Sequence, residues 1–116
     1  MTGDELAGLL ERGEVVLVDV RSRAEYAGET GYPCDPRQGH IPGAEHVDLN
    51  EIYAAGTDPA AVRGLLAERG IPEDLPIVAY CHSGQRSEIA AALLRQAGFD
   101  AVNYAGSWHE WSRRPE

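Results

Sequence analysis

The chain has 116 residues, of which 43% are hydrophobic, and this size and composition favour one globular domain over disorder or several domains. A net charge of −9 argues against non-specific binding to nucleic acid. No apolar run approaches the roughly 20 residues that a membrane-spanning helix needs. The N-terminal stretch 1–14 is acidic and lacks the pattern of a signal peptide, so we expect a cytoplasmic protein.

Helices and strands are predicted in alternation from the start of the chain. Residues 4–13 predict a helix, because leucines recur at helical spacing and a glycine ends the run. The run 15–20 is typical of a strand buried on both faces, and 22–27 predicts a short helix capped by Ser22. Residues 28–44 are rich in glycine and proline, which predicts a loop.

The remaining elements continue the alternation. In chain order they are a short strand at 45–49, a helix at 57–70, a strand at 75–80, a helix at 87–98, a strand at 100–104 and a final helical turn at 106–111. Asp58 and Pro59 suit the Ncap and N1 positions of the first of these helices. Short connections predict an α/β fold, with a parallel sheet covered by helices on both faces. Ligands bind such sheets at the carboxyl ends of the strands.

Cys81 lies between a predicted strand and a predicted helix, where backbone N–H groups and the helix N-terminus favour a thiolate. Gly84 permits close backbone approach, Arg86 adds a permanent cation, and Ser87 can cap the helix. We therefore predict an activated sulfur in an anion-binding loop. The alternative is a small buried hydrophobic residue, but the polar residues and the glycine around this cysteine disfavour it.

At this loop the sequence resembles a known family. The stretch YCHSGQRS at 80–87 is similar to the active-site loop of the rhodanese sulfurtransferases, Cys-x-x-Gly-x-[Arg/Thr]. Three other stretches resemble further signatures of the family: VLVDVRSRAEYAGE, which holds Asp19 and Arg21, GHIPGAEHVDL, and YAGSWHEW. The last resembles the catalytic C-terminal half of two-domain thiosulfate sulfurtransferases. The resemblance extends from about Leu10 to Trp111.

The resemblance implies one rhodanese-like domain over residues 1–116, with a mostly parallel five-stranded sheet and helices on both faces. It also implies a two-step reaction in which the Cys81 thiolate takes the outer sulfur of a donor such as thiosulfate. The resulting persulfide then gives this sulfur to cyanide or to a thiol. No metal or organic cofactor is implied. The two-domain enzymes have an N-terminal half beside the site, so here the pocket can be more open or completed by a partner chain.

The resemblance also assigns roles to the residues around the nucleophile. It implies that the persulfide is held by the backbone of His82, Ser83, Gly84, Gln85, Arg86 and Ser87. Arg86 and Arg21 would meet the anionic donor, although Arg21 could equally form a structural ion pair with Asp19. Because Arg86 and His82 offer positive charge, we expect thiosulfate to be preferred over 3-mercaptopyruvate.

Two alternative functions use the same cysteine. One is a sulfur-relay or interaction module that delivers persulfide to a partner protein. The other is a Cys-dependent phosphatase or arsenate reductase, whose loop needs an arginine six residues after the cysteine. Here Arg86 follows Cys81 by five residues, so the shorter loop favours sulfur chemistry. Expected partners are a small anionic donor, a thiol or cyanide acceptor and, in the relay alternative, a sulfur-accepting protein. Neither nucleic acid nor a membrane is expected as a partner. The chain would be a monomer or homodimer.

Several other polar and aromatic residues have structural interpretations. Cys34 is interpreted as a surface cysteine rather than a resolving thiol, and His40 as a residue that organises a turn. Trp108 and Trp111 are expected in the core. Two cysteines and four scattered histidines do not make a good zinc site, and Cys34, His40 and His46 lack close ligand pairs, so we predict no metal site.

Overall fold

Four parallel strands form the sheet of this protein, whose computed structural model describes residues 1–56 and 58–115. The strands are β1 (Val16–Asp19), β2 (Glu45–His46), β3 (Ile77–Tyr80) and β4 (Ala101–Asn103), and they lie in the order β2-β1-β3-β4. The helices are α1 (Gly3–Glu11), α2 (Arg23–Ala27), α3 (Leu49–Ala55), α4 (Pro59–Glu68), α5 (Gln85–Gln96) and α6 (Ser107–Trp111). The predicted α/β fold is confirmed, whereas the expected number of five strands is corrected to four within the described residues.

Side-chain caps explain where the helices of the first half begin. Thr2, Ser22 and Asp48 each accept a hydrogen bond from the first turn, and a glutamate three residues later reaches back to each cap. The predicted cap at Ser22 is therefore confirmed. Asp58 and Pro59 begin α4 as predicted, while residue 57, where the prediction started, lies outside the described residues.

Helix α3 was not predicted, and the strand that was predicted before it is shorter in the structure. The sequence pattern placed a strand over 45–49, but β2 ends at His46. Asp48 has φ −60° and ψ 138°, and its side chain accepts a hydrogen bond from the backbone N–H of Asn50. The prediction was wrong beyond His46 because a capping box, Asp48 with Glu51, begins a helix there.

Hydrophobic side chains from alternate positions of β1 and β3 enter two cores, one on each face of the sheet. On one face Val18 and Ala79 pack with residues of α3, α4 and α5. On the other face Leu17 and Val78 pack with Leu6, Ile41, Tyr80, Tyr104, Trp108 and Trp111. The core positions predicted for the two tryptophans are confirmed.

The two central strands end at the same level, and this places the reactive loop. Asp19 of β1 pairs with Tyr80 of β3 in the parallel register. Cys81 is the next residue, so it lies at the carboxyl edge of the sheet, as expected for a ligand site in this class of fold. Among the described residues no helix is both long enough and apolar enough to cross a membrane.

Candidate active site

The sulfur of Cys81 lies among hydrogen-bond donors from the loop that follows it. Sγ accepts from the backbone N–H of Gly84 at 3.1 Å and from that of Ser87 at 3.4 Å. The Ser87 hydroxyl lies 3.3 Å from the same sulfur. Cys81 is 1% exposed, so these donors act where little water competes with them. Of the backbone N–H groups predicted to form the cradle, those of Gly84 and Ser87 contact the sulfur in this way.

Glycine is required at position 84 by both conformation and space. Gly84 has φ +97°, and a Cβ there would lie 2.6 Å from the carbonyl oxygen of Ala105. It is also the N-cap of α5 and provides no side-chain cap. The prediction that Ser87 caps this helix is wrong. Ser87 lies within the first turn of α5, and its hydroxyl is directed to the sulfur instead.

The surroundings of Cys81 favour its thiolate. Burial acts to raise the pKa of the thiol, because a charged sulfur loses solvation. The Ser87 hydroxyl and the backbone N–H groups of Ser87, Gly84 and Ser83 act in the opposite direction. Together they leave the pKa of Cys81 below its ordinary value, which is what a nucleophile near neutral pH needs.

Helix α6 holds the other side of the loop, and sequence reasoning missed this role. The backbone N–H of Cys81 donates to the Ser107 hydroxyl at 3.0 Å. The carbonyl oxygens of Cys81 and His82 accept from the N–H groups of Trp108 and His109, both at 2.9 Å. The stretch YAGSWHEW was identified only as a family signature and a helical turn. Its position directly after β4, the neighbour of β3, could have indicated contact with the loop.

Arg86 forms a bidentate ion pair with Glu25 and is not a free cation. Its two terminal nitrogens donate to the carboxylate oxygens of Glu25 at 2.9 and 3.1 Å. Burial raises the pKa of Glu25, but the hydrogen bonds and charge of Arg86, with further hydrogen bonds from Ser22, bring it down to about 2. Both residues line a cavity of about 290 Å³, together with Tyr32. The charged groups that line this cavity are therefore a neutralised pair and not an unpaired cation.

The side chain of His82 is directed towards a carboxylate. Its Nε2 lies 2.9 Å from Oδ2 of Asp35, and its ring stacks on Tyr32 with a centroid distance of 3.8 Å. The expectation that His82 adds unpaired positive charge for the donor is therefore corrected. Ser83 and Gln85 are exposed, and their side chains hydrogen-bond to each other. The described contacts of these two residues with the sulfur involve only the backbone of Ser83.

Arg21 is a buried partner of Asp19, as the structural interpretation anticipated. It is 1% exposed, and its Nε and Nη2 donate to the carboxylate of Asp19. Nη2 also donates to the carbonyl oxygen of Gly39 at 2.6 Å, which ties the long loop to the sheet. Tyr80 donates to Asp19 as well, at 2.7 Å. The described contacts of Arg21 give it a structural role at the base of the site.

His40 and Cys34 lie outside the cradle. Nδ1 of His40 lies 2.8 Å from the carbonyl oxygen of Tyr26, and the two rings stack, which supports a role in the turn. Cys34 is exposed, and both cysteines are free thiols.

Comparison with known proteins gives consistent matches. The family model described as Rhodanese-like domain matches residues 2–114. The chain is 39% identical to the thiosulfate:glutathione sulfurtransferase of Homo sapiens, over 92% of this chain and 87% of that protein. It is 40% identical to the sulfur carrier protein TtuD of Thermus thermophilus, over 88% of this chain and 40% of that protein.

A solved structure extends the similarity to the fold. The human single-domain sulfurtransferase TSTD1 matches with a TM-score of 0.75 and 33% identity, over 100% of this chain and 96% of that one. Other curated relatives are longer, and this chain spans 41% and 42% of the length of two of them.

Proposed function

The chain belongs to the rhodanese-like domain family, and on that premise we propose that it is a sulfurtransferase. It moves the outer sulfur of thiosulfate, or of a similar donor, to a thiophilic acceptor through a persulfide on Cys81. The observation that carries the proposal is the group of three donors at Sγ of Cys81: the N–H groups of Gly84 and Ser87 and the hydroxyl of Ser87.

In the first half-reaction the Cys81 thiolate attacks the outer sulfur of thiosulfate. A new S–S bond forms at Cys81, and the S–S bond of the donor breaks, with its electron pair leaving on sulfite. The total charge of −3 is the same on both sides, and no proton or external electron is needed. The donors that lower the pKa of Cys81 supply the attacking thiolate at neutral pH.

In the second half-reaction an anionic acceptor removes the terminal sulfur. Cyanide or a thiolate attacks it, the S–S bond to Cys81 breaks, and its electron pair returns to Sγ as thiolate. The products are thiocyanate or an alkyl persulfide. The terminal sulfur of the persulfide carries negative charge, and we expect the N–H groups that contact Sγ of Cys81 to stabilise it electrostatically.

A sulfur-relay function is the second candidate, and the similarity to the sulfur carrier protein TtuD supports it. In that case the same persulfide passes to a partner protein and not to a small acceptor. A phosphatase or arsenate reductase is disfavoured. Arg86 is held by Glu25 in two hydrogen bonds and is not available to clamp an oxyanion.

Thiocyanate formation from thiosulfate and cyanide tests the catalytic proposal. We expect steady turnover by the parent, none by Cys81→Ser, and near-parent turnover by Cys34→Ser in buffer that contains a chelator. Turnover by Cys81→Ser would refute the proposed mechanism. A parent that loads one sulfur but releases it to neither cyanide nor small thiols would support the relay function over the enzyme.

A further inference from the structure

A second group of chemically reactive side chains lies beside the active-site loop and has no part in the sulfur cradle. It consists of Cys34, Asp35 and His82, whose ligand atoms all lie within 4.8 Å of one another. Two of these residues come from the long loop between α2 and β2, and the third directly follows the nucleophile. The prediction of no metal site rested on the spacing of cysteines and histidines along the chain, and it did not consider Asp35.

The donors match one class of cation. A thiolate, an imidazole nitrogen and a carboxylate oxygen together suit Zn²⁺ and similar thiophilic cations, whereas Mg²⁺ and Ca²⁺ prefer oxygen ligands alone. Nε2 of His82 and Oδ2 of Asp35 are already 2.9 Å apart. Sγ of Cys34 lies 4.0 Å from Oδ1 of Asp35. Tetrahedral ligands at about 2.0–2.3 Å from a metal lie about 3–4 Å apart, so only the separations that involve Sγ of Cys34 need to contract, by about an ångström.

Burial and access are both appropriate for binding. The side chain of Asp35 is 0% exposed and that of His82 is 10% exposed, so two of the ligands are pre-positioned in a partly dry environment. Cys34 is exposed, which gives a cation a route from solvent and allows Sγ to move towards it. The stacked ring of Tyr32, 3.8 Å from that of His82, fixes the plane of the imidazole.

The neighbouring groups orient the carboxylate and set the local charge. Arg113 donates to Oδ1 of Asp35 at 3.0 Å, which leaves Oδ2 as the oxygen that faces His82. Ligating carboxylates are commonly held by such a hydrogen bond to their second oxygen. The guanidinium opposes a cation, but one thiolate and one carboxylate outweigh it, and the chain as a whole carries −9. Nδ1 of His109 lies 3.8 Å from Oδ1 of Asp35, on the side of the oxygen that Arg113 holds.

We propose that Cys34, Asp35 and His82 form a binding site for a thiophilic divalent cation of the zinc class. Sγ, Oδ2 and Nε2 take three tetrahedral positions, and water takes the fourth. Because His82 follows Cys81 in the chain, the cation links the loop between α2 and β2 to the active-site loop. Cys81 keeps its own donors, Gly84 and Ser87.

Cobalt(II), added without oxygen to the Cys81→Ser protein, tests the site independently of sulfur transfer. This background removes the other thiol, so a thiolate-to-cobalt charge-transfer band reports Cys34 alone. We expect one equivalent of Co²⁺ to give this band together with tetrahedral d–d absorption, and Zn²⁺ to displace it. Adding Cys34→Ser should abolish the band and weaken cation binding at least about tenfold, the scale for loss of a metal-site interaction. Cys34 is exposed, so this change leaves the fold intact.

Two histidine variants in the same background complete the test. His82→Asn should also weaken binding at least about tenfold, whereas the nearby His109→Asn should change it less than about threefold. The proposal is overturned if Cys81→Ser binds no cobalt, or if Cys34→Ser binds it as tightly as its background. It is also overturned if His109→Asn costs as much affinity as His82→Asn. Thermal melts of each variant without metal establish that a loss of binding is not a loss of fold.

Discussion

Ser107 supplies the acceptor for the backbone N–H of Cys81, at 3.0 Å from its hydroxyl oxygen. The same hydroxyl donates to the carbonyl oxygen of Tyr104 at 2.8 Å. Ser107 reaches this position with φ +54°, a conformation that residues other than glycine seldom adopt. The start of α6 therefore has a strained backbone, and there the Ser107 hydroxyl links the end of β3 to the end of β4 through hydrogen bonds.

Ser107→Gly separates the hydrogen bond from the strain. Glycine adopts the positive φ readily, but it leaves the buried N–H of Cys81 without its acceptor, which costs about 1–3 kcal/mol. We expect the free energy of unfolding in urea to fall, and to fall further for Ser107→Ala, which loses the hydroxyl and keeps the strain. A Ser107→Ala protein as stable as the parent would show that the hydrogen bond contributes little.

Ser87→Ala should raise the pKa of Cys81, because the hydroxyl is the strongest of the groups that lower it. A lowered pKa means that thiolate is present at a lower pH, so the alkylation rate of the parent should reach its midpoint below that of an ordinary cysteine. In Ser87→Ala this midpoint should move to higher pH. Ser83→Ala is the matched control, since the Ser83 hydroxyl bonds to Gln85. Equal midpoints in parent and Ser87→Ala would contradict the assignment.

The ion pair between Arg86 and Glu25 should set the affinity for an anionic donor. Arg86→Ala leaves the Glu25 carboxylate without its cationic partner, and because this negative charge repels an anionic donor, kcat/KM for thiosulfate should fall by about ten- to a hundredfold. Glu25→Gln releases the guanidinium and should raise kcat/KM by about two- to fivefold. Glu88→Gln, an exposed carboxylate on the same helix, is the control. A lower kcat/KM in Glu25→Gln would mean that the pair acts mainly by positioning Arg86.

The buried ion pair between Arg21 and Asp19 should contribute to stability and not to donor binding. Arg21→Met leaves the carboxylate of Asp19, which is 0% exposed, without its cationic partner, at a cost of about 3–5 kcal/mol. Arg63→Met breaks an exposed pair with Glu73 and should cost less than about 1 kcal/mol. Urea unfolding measures both. If Arg21→Met unfolds like the parent but loses thiosulfate turnover, the residue belongs to the donor site after all.

The main outline of the fold could be predicted because its determinants are local. β-branched runs, leucines at helical spacing and terminal glycines indicated most strands and helices, and the order of elements indicated the parallel sheet. Helix α3 was missed because Asp48 and Glu51 form a capping box inside a stretch that also reads as a strand. The fifth strand was expected only from the family resemblance, whereas the sequence pattern itself predicted four strands.

The site was only partly predictable, since several of its side chains pair with residues that are distant in the sequence. Cys81 and the backbone donors of its loop follow from a local strand-to-helix turn. The partner of Arg86 is 61 residues away, and the partner of His82 is 47 residues away. Sequence reasoning treated both side chains as free cations, because only the fold brings Glu25 and Asp35 to them. Ser107, 26 residues from Cys81, was missed for the same reason.

Intact mass spectrometry after brief treatment with thiosulfate tests the central claim most directly. The parent should gain the mass of one sulfur atom, and peptide mapping should locate it on Cys81. The added sulfur should disappear on addition of cyanide, with one equivalent of thiocyanate released per chain. Cys34→Ser should behave like the parent. A gain of sulfur by Cys81→Ser, a sulfur mapped to Cys34, or no gain by the parent would contradict a Cys81 persulfide.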